Sequence, residues 1–550
     1  MSLQPQVSYC VPEETARVAR AIFPDGNHIM HMYDQLGMLF RDADFTDLFP
    51  AEGQPAEAPA RLALVTLLQF WEGLTDRQAA DAVRTRIDWK YLLCLELTDL
   101  GFDHSVLSEF RTRLLDHDAE RLLFDAILTI ARSRSLLNTG GRQRSDSTHI
   151  LGAMRAMTRL EVVTETVRHA LNMLATTAPE WLRAHTTPDW VDRYGLRASE
   201  FRLPKSQAKR QAWAEQIGAD GRMLLIAAYA DTAPADLRML SAVAILRQVW
   251  VQNFVLIDDR LRWRDNDNTP PAGRYIGSPY DTDARYGTKR EMHWIGYKLH
   301  ITETYGDAQP NLITNVETTN AAVADDAVTE TIHASLAEHD LLPAKHIADT
   351  GYVNSTLFVS SQTIYGIDLI GPTRGDNHWQ AKDGAGFAAR DFVIDWEQQQ
   401  AICPMGNPSN SWTPAIDRVK NPVIKIKFAT TDCQACARCE NCTRSTPPRR
   451  TITLRPQAQH EALLEGRKRE QTEQFKAEYA KRAGVEGTIA QSVRTGKVRQ
   501  ARYLGQAKTH LQHLMTAAIM NVIRMLRWLA EEPKAQTPRS AFARLYQAAT

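Results

Sequence analysis

Apolar residues recur at helical spacing through the first 135 residues. Pro59 is placed to open a helix in which Leu64, Leu67, Leu68 and Trp71 share one face. Residues 76–86 (DRQAADAVRTR) predict a second helix. A third follows Asp103, with Val106, Leu107, Phe110 and Leu114 inward and Arg111 and Arg113 outward. Short helices with a basic last member suit a helix-turn-helix-like reader of DNA, although any small helical bundle shares the pattern. Helical spacing returns across residues 156–250, in LEVVTETVRHALNMLA and ADLRMLSAVAILRQVW. The stretch RWRDNDNTPPAGRYIGSP is then rich in turn formers and reads as a linker.

Beyond it the period changes. GYKLHITET alternates, with Tyr297, Leu299 and Ile301 on one face, and NLITNVETTN is a second strand candidate. DDAVTETIHASLAEH reads as a helix, with Val328, Ile332 and Leu336 at helical spacing. KHIADTGY is a third strand, a helix is expected near STLFVSSQ, and IDLIGP is a fourth strand. This order implies a mixed α/β sheet with helices packed against it. Residues 373–450 interrupt the order with Gly, Pro, Trp and Cys, and residues 457–530 are helical and basic.

Composition narrows the class. The chain has 550 residues, 43% of them hydrophobic and 24% charged, a globular balance with room for two to four domains. Formal net charge is zero, which is mild evidence against a nucleic-acid partner. The charge is unevenly spread, however. Residues 444–508 hold 15 Lys and Arg against 6 Glu and no Asp. A phosphate-binding face needs such a local surplus, and a solvated helix face would show it equally. The start, MSLQPQVSYCVPEE, lacks the basic and apolar segments of a signal peptide, so none is expected. His513, Asn521, Arg524 and Arg527 interrupt the apolar run 511–529, so it is not expected to span a membrane. Seven cysteines, four of them in one short segment, do not resemble a secreted disulfide framework, and a reducing cytoplasm fits.

Three carboxylates are candidate metal ligands. Asp146 sits in RQRSDSTHI, Asp349 in KHIADTGYVN at the end of a predicted buried strand, and Glu486 in YAKRAGVEGTIAQ. Hard oxygen donors suit Mg²⁺. Two such ions can activate a water and stabilise the leaving oxygen of a phosphodiester. With 65 acidic residues in the chain, residue chemistry alone favours Asp349 and leaves the other two among many. Asp281 and Asp283, in SPYDTDARYG, are close rivals because they precede a strand, whereas Asp325 and Asp326 better suit a helix N-terminus.

Ordered stretches along nearly the whole chain carry a resemblance. They are FTDLFP, LLQFWEGLTDRQAADAVRTRIDWKYLLCLEL, FDHSVLSEFRTRLL, DSTHILGAMR, SPYDTDARYGTKREMHWIGYKLHITET, HIADTGYVN, FVIDWEQQQAICPMG, VEGTIAQSVR and ARYLGQAKTHLQHLMTAAIMNVIRML. Together they resemble bacterial insertion-sequence transposases with an Asp-Asp-Glu triad on a ribonuclease-H-like core. The resemblance puts the triad on Asp146, Asp349 and Glu486. Glu486 ends a tyrosine–arginine–glutamate signature made with Tyr479 and Arg482, which would contact phosphate near the cut. Related transposases add a lysine seven positions after the glutamate. Val493 stands there, so the basic role shifts to Arg494 or Lys497, with Arg502 and Lys508 as further DNA contacts.

The implied division is a helical DNA-binding domain at 1–135 and a catalytic core at 136–155, 280–372 and 457–530. A helical insertion and linker fill 156–279, a Cys-containing insertion fills 373–456, and a tail covers 531–550. The implied cofactors are two Mg²⁺ or Mn²⁺ ions. The implied partners are double-stranded DNA, as element ends and target, and a second copy of the chain, with no membrane. A bacterial cytoplasmic, nucleoid-associated location follows. The implied chemistry frees a 3′-hydroxyl at the element end, which then attacks target DNA in line.

Cys433, Cys436, Cys439 and Cys442 form CxxCxxCxxC, with Cys403 upstream in ICPMG. The spacing departs from the ferredoxin run by one residue in its last gap, and Thr443 stands where that run has Pro. Similar transposases have one upstream Cys, a CxxC pair and a final Cys before Thr, which maps to Cys403, Cys433, Cys436 and Cys442 and leaves Cys439 over. A structural zinc is the favoured ligand. Three rivals stand beside the transposase reading. A tyrosine recombinase using Tyr479 lacks its arginine–His-x-x-Arg constellation. A transposase-derived DNA-binding protein without catalysis and a metal-dependent nuclease without strand transfer remain.

Overall fold

The computed structural model describes residues 2–199, 204–258, 260–382, 384, 386–533 and 541–545. Of the tail expected at 531–550, residues 534–540 and 546–550 lie outside the described residues. The chain divides into two compact units. The first comprises Met1–Asn138, Asp146–Val323 and Val485–Thr550, and the second comprises Thr139–Ser145 and Ala324–Gly484.

The first unit opens with helices from Glu13 to Ser133. The helix Pro59–Glu72 has Pro59 in its first turn and ends at Gly73, whose φ of 71° suits a left-handed cap. Leu64, Leu67 and Leu68 are fully buried. The next helix, Asp76–Thr85, begins with a capping box between Thr75 and Gln78. In the helix Ser105–Asp116, Leu107, Phe110 and Leu114 face inward as expected. The two arginines do not face outward. Arg111 is buried and donates to both Asp76 carboxylate oxygens, at 2.9 and 2.6 Å. It stands four residues after Leu107 on the same helix face, and the carboxylate compensates its desolvation. Arg113 is half-buried, donates to Leu48 O and covers the Phe49 ring at 4.4 Å.

Strand β1 (Arg142–Leu151) comes next, counted with the first unit from Asp146 onward. Three long helices, Arg159–Thr177, Gln207–Ala228 and Ser241–Asn253, then pack on a core that includes Val163, Ile217, Leu246 and Trp250. Gly221 lets two elements meet, since a Cβ there would lie 2.0 Å from the Trp250 ring. The expected linker begins inside a hairpin of β2 (Phe254–Ile257) and β3 (Arg260–Trp263), where Phe254 pairs with Trp263. Residues 264–279 form no strand and only a short 3-10 turn at Asn266–Asn268, in keeping with their turn-forming composition.

Strands β4 (Arg285–Lys289), β5 (Met292–Thr304) and β6 (Ile313–Asn320) run antiparallel to their neighbours, β4 to β5 and β5 to β6, and β1 lies beside β5. Tyr297, Leu299 and Ile301 are buried, and so are His300, Thr302 and Glu303, so both faces of β5 are covered. The long helix Gln506–Leu529 joins β6 through Asn521, which accepts from Ile313 N and donates to Ile313 O, each at 2.8 Å.

In the second unit, residues 142–144 of β1 pair in parallel with β7 (Lys345–Ile347), and β7 pairs in parallel with β8 (Asp368–Ile370). Helices Asp326–Glu338 and Ser355–Tyr365 accompany them. The Cys-containing insertion expected at residues 373–456 contains a small β structure. It consists of a hairpin of β9 (Val393–Asp395) and β10 (Gln400–Ile402) and a sheet of β11 (Ser409–Ile416), β12 (Pro422–Phe428) and β13 (Thr451–Leu454). The fold is mixed α/β, in keeping with a ribonuclease-H-like core with added helical regions. No helix among the described residues is long and apolar enough to cross a membrane.

Candidate active site

In the first unit Asp146 is buried on β1, and its Oδ1 accepts the Ser147 N–H at 2.7 Å. Residues two apart on a strand share a face, which puts Thr148 on the face of Asp146. Arg499 reaches that neighbourhood. Its Nη1 donates to Thr148 Oγ1 at 2.9 Å and to His149 O at 3.0 Å. Burial pulls its basicity below the usual arginine value. Burial, then the charges of Arg499 and Lys289, keep His149 below the ordinary histidine range. Arg499 has no carboxylate partner among the described residues. Sequence reasoning passed over Arg499, although its place in a basic run after Glu486 was the available signal.

Glu486 is exposed in the first turn of the helix Ala483–Thr495, where a carboxylate suits the helix dipole. Two residues on, Thr488 donates to Glu303 Oε2 at 2.6 Å. Arg524 binds the same glutamate at 2.8 Å and Thr488 Oγ1 at 2.6 Å. Glu303 is fully buried, so this charged cluster fixes the glutamate helix against β5 and the long helix.

In the second unit Asp349 lies two residues beyond the end of β7, and its Oδ1 accepts the Gly351 N–H at 2.7 Å. A Cβ on Gly351 would lie 2.9 Å from Asp349 Oδ1 and 3.3 Å from Asp325 Oδ2. Asp325 therefore holds the N-cap position expected of it while its side chain, which accepts no cap hydrogen bond, turns toward the same glycine as Asp349. Beneath β7 runs a buried chain. Ser145 Oγ is 2.7 Å from His346 Nε2, and His346 Nδ1 is 2.7 Å from His333 Nε2. Burial lowers both histidines, His333 to about 4.

Tyr479 stacks on Phe475, with centroids 5.8 Å apart and planes 9° apart, and the Arg482 guanidinium lies 5.9 Å from the Tyr479 ring. The segment is tied to β1 inside the second unit. Arg142 pairs with Glu478 at 3.8 Å, and Arg144 donates to Lys481 O. Gly484 leaves room for Arg144, since a Cβ there would lie 2.2 Å from its Nη1.

Two family models match the chain. A "Transposase domain (DUF772)" covers residues 18–113, and a "Transposase DDE domain" covers residues 402–526. Both matches are to transposase families, and together they support a DDE-type insertion-sequence transposase. No curated protein and no solved structure matches it. Glu486 lies within the DDE match, and Asp146 and Asp349 lie outside both.

The other basic residues expected to meet DNA are all on the first unit. Arg494 is exposed, with its Nε on Ala490 O at 3.3 Å. Lys497 is exposed, has a φ of 51° and lays its side chain over Gly73. Arg502 donates to Leu74 O and covers the Phe70 ring at 5.0 Å, and it remains exposed. Lys508 is exposed on the long helix.

Five of the seven cysteines come together in the second unit. Cys403, Cys433, Cys436, Cys439 and Cys442 line one small cavity with Phe387. Cys403, Cys433 and Cys442 also pack against the apolar core of Phe392, Ile426, Phe428 and Ile452. Backbone N–H groups point at sulfur, Arg438 N at Cys436 (3.4 Å) and Arg450 N at Cys433 (3.5 Å). Burial, Cys433, Cys403 and Cys436 push the Cys442 thiol up to about 11, against the opposing charge of Arg450. All five are free thiols. Among the described residues no group of three or more His, Cys, Asp or Glu is arranged to hold a metal ion. The thiols suit zinc as a donor set, but their arrangement is not that of a closed metal shell.

Proposed function

We propose that this transposase binds the ends of its mobile element as a homodimer and performs metal-dependent strand cleavage and strand transfer, with Asp146, Asp349 and Glu486 as catalytic carboxylates. The match to the transposase DDE domain over residues 402–526, which contains Glu486, carries the reading, and the transposase-domain match over residues 18–113 supports it.

Three carboxylates match the oxygen preference of Mg²⁺ or Mn²⁺. Two ions held by them would supply an activated water and a stabilised leaving oxygen. Around the reacting phosphate, Arg499 takes the cationic role that Val493 cannot, and Tyr479 and Arg482 orient the strand. Arg494, Lys497, Arg502 and Lys508 extend the contact along the backbone. Cys403, Cys433, Cys436 and Cys442 would close around a structural zinc, whose usual donor set they supply. DNA as substrate puts the enzyme with the nucleoid in a bacterial cytoplasm.

The test is a supercoiled plasmid carrying the DNA that flanks the gene, incubated with the full chain and Mg²⁺. Cleaved ends joined to target DNA are expected. Cleavage without joined products would leave a nuclease, and binding without cleavage would leave a DNA-binding descendant.

A further inference from the structure

The helical segment between the two aspartates supplies no residue to the proposed active site, yet it carries a second concentration of positive charge. An open cleft of about 400 Å³ lies where the helices Arg159–Thr177 and Gln207–Ala228 meet the end of β3. Arg159, Lys205, Arg210 and Arg264 line it, against a single carboxylate, Asp265.

Two of these cations are held by neutral groups. Arg159 lies 4.0 Å over the Trp263 ring and donates to Asn253 Oδ1 (2.9 Å) and Asn266 Oδ1 (3.0 Å). Arg264 donates through Nε to Phe254 O at 2.9 Å and Val251 O at 3.2 Å. Lys205 and Arg210 are exposed and form no ion pair among the described residues. Four cations so placed repel one another, and neither Asn nor a carbonyl neutralises them. Two arginines fixed in place by neutral acceptors beside two exposed cations, in a chain of zero net charge, form a cluster that a polyanion stabilises.

We propose that this cleft grips the sugar–phosphate backbone of duplex DNA, as a contact separate from the catalytic carboxylates. The inference rests on the DNA-transposase reading. Its open form suits a strand passing through. Arg159 covers Trp263 and the Phe254 ring packs on it at 5.1 Å, so the indole is occupied and the contact reads phosphate without base preference.

The test is equilibrium binding of the full chain to a linear duplex carrying the gene-flanking DNA, and to a scrambled duplex, over a series of salt concentrations. Lys205→Gln/Arg210→Gln should weaken both complexes at least tenfold. It should also reduce the slope of log affinity against log salt by about two, close to one for each phosphate no longer neutralised. Arg222→Gln/Arg238→Gln removes two exposed charges of the same segment that do not line the cleft and should leave both values unchanged. If the wild-type chain binds DNA and the cleft variant matches it in affinity and slope, this inference alone is overturned. Equal weakening by the control pair overturns it too, because general charge would then suffice. If inorganic phosphate quenches tryptophan fluorescence in the wild type but not in the cleft variant, while the DNA slopes agree, the cleft is a small-anion site. A wild-type chain that binds no duplex removes the DNA reading itself, and this inference with it.

Discussion

Arg499 meets β1 through a hydroxyl, a carbonyl and an imidazole, with no carboxylate among the described residues to neutralise it. That leaves its charge available to a phosphate beside Asp146. Arg499→Ala should slow cleavage roughly 100-fold, as expected on removing one preorganised donor, while gel-shift affinity stays within a few-fold. Unchanged cleavage would remove Arg499 from the site. Arg111 makes the opposite case. Its side chain is 9% exposed and bound to Asp76 at 2.6 Å, so Arg111→Met should cost about 3 kcal/mol in urea unfolding by stranding that carboxylate. A double variant with Asp76→Asn should recover part of the loss. Helical spacing made Leu107, Phe110 and Leu114 legible as core. The same spacing puts Arg111 on the buried face, but an arginine goes inside only with a partner, and Asp76 stands 35 residues away. The partner, not the period, decided that position.

At the scale of elements, alternation and helical spacing located β5, β6, β7, β8 and the helices between them, because each buries a regular face. Their order also put Asp349 at the end of a strand, although β7 is shorter than expected and stops at Ile347, two residues before it. The hairpin β2–β3 and the strands β9–β13 were not legible. They are short and several alternate half-exposed positions, and their apolar contacts, such as Phe392 with Phe428 at 5.4 Å, join residues far apart in sequence. For the cysteine structure, the expected outcome is one zinc per purified chain by elemental analysis. Cys442→Ser should abolish the zinc and lower Tm, and a metal-free wild-type chain of unchanged Tm would refute the site. The glutamate helix gives a further expectation. Arg524→Leu strands Glu303, which is fully buried, and should cost about 3–5 kcal/mol in denaturant unfolding, with cleavage falling as Glu486 loses its anchor.

For the whole molecule, buried histidines set an acid limit. Burial holds His333 and His510 at about 4, His513 at about 3, and His346 well below its usual value. The unfolded chain binds those protons near pH 6.5, so stability is complete above that value and falls as pH drops below it. Each histidine costs about 1.4 kcal/mol per pH unit until its folded value is reached. Glu57 and Glu317, whose carboxyls burial pushes up, oppose the trend. Tm should therefore fall steadily between pH 6.5 and 5, and a flat profile would contradict the burial of these rings. The family and the mixed α/β class were legible in the order of motifs along the chain, whereas the selection of Asp146 and Glu486 from 65 acids came from resemblance. The most direct test is therefore of the carboxylates together. Asp146→Asn, Asp349→Asn and Glu486→Gln should each bind a gene-flanking duplex like the wild type and fail to nick it in Mg²⁺. Nicking at the wild-type rate by any of the three would contradict the triad.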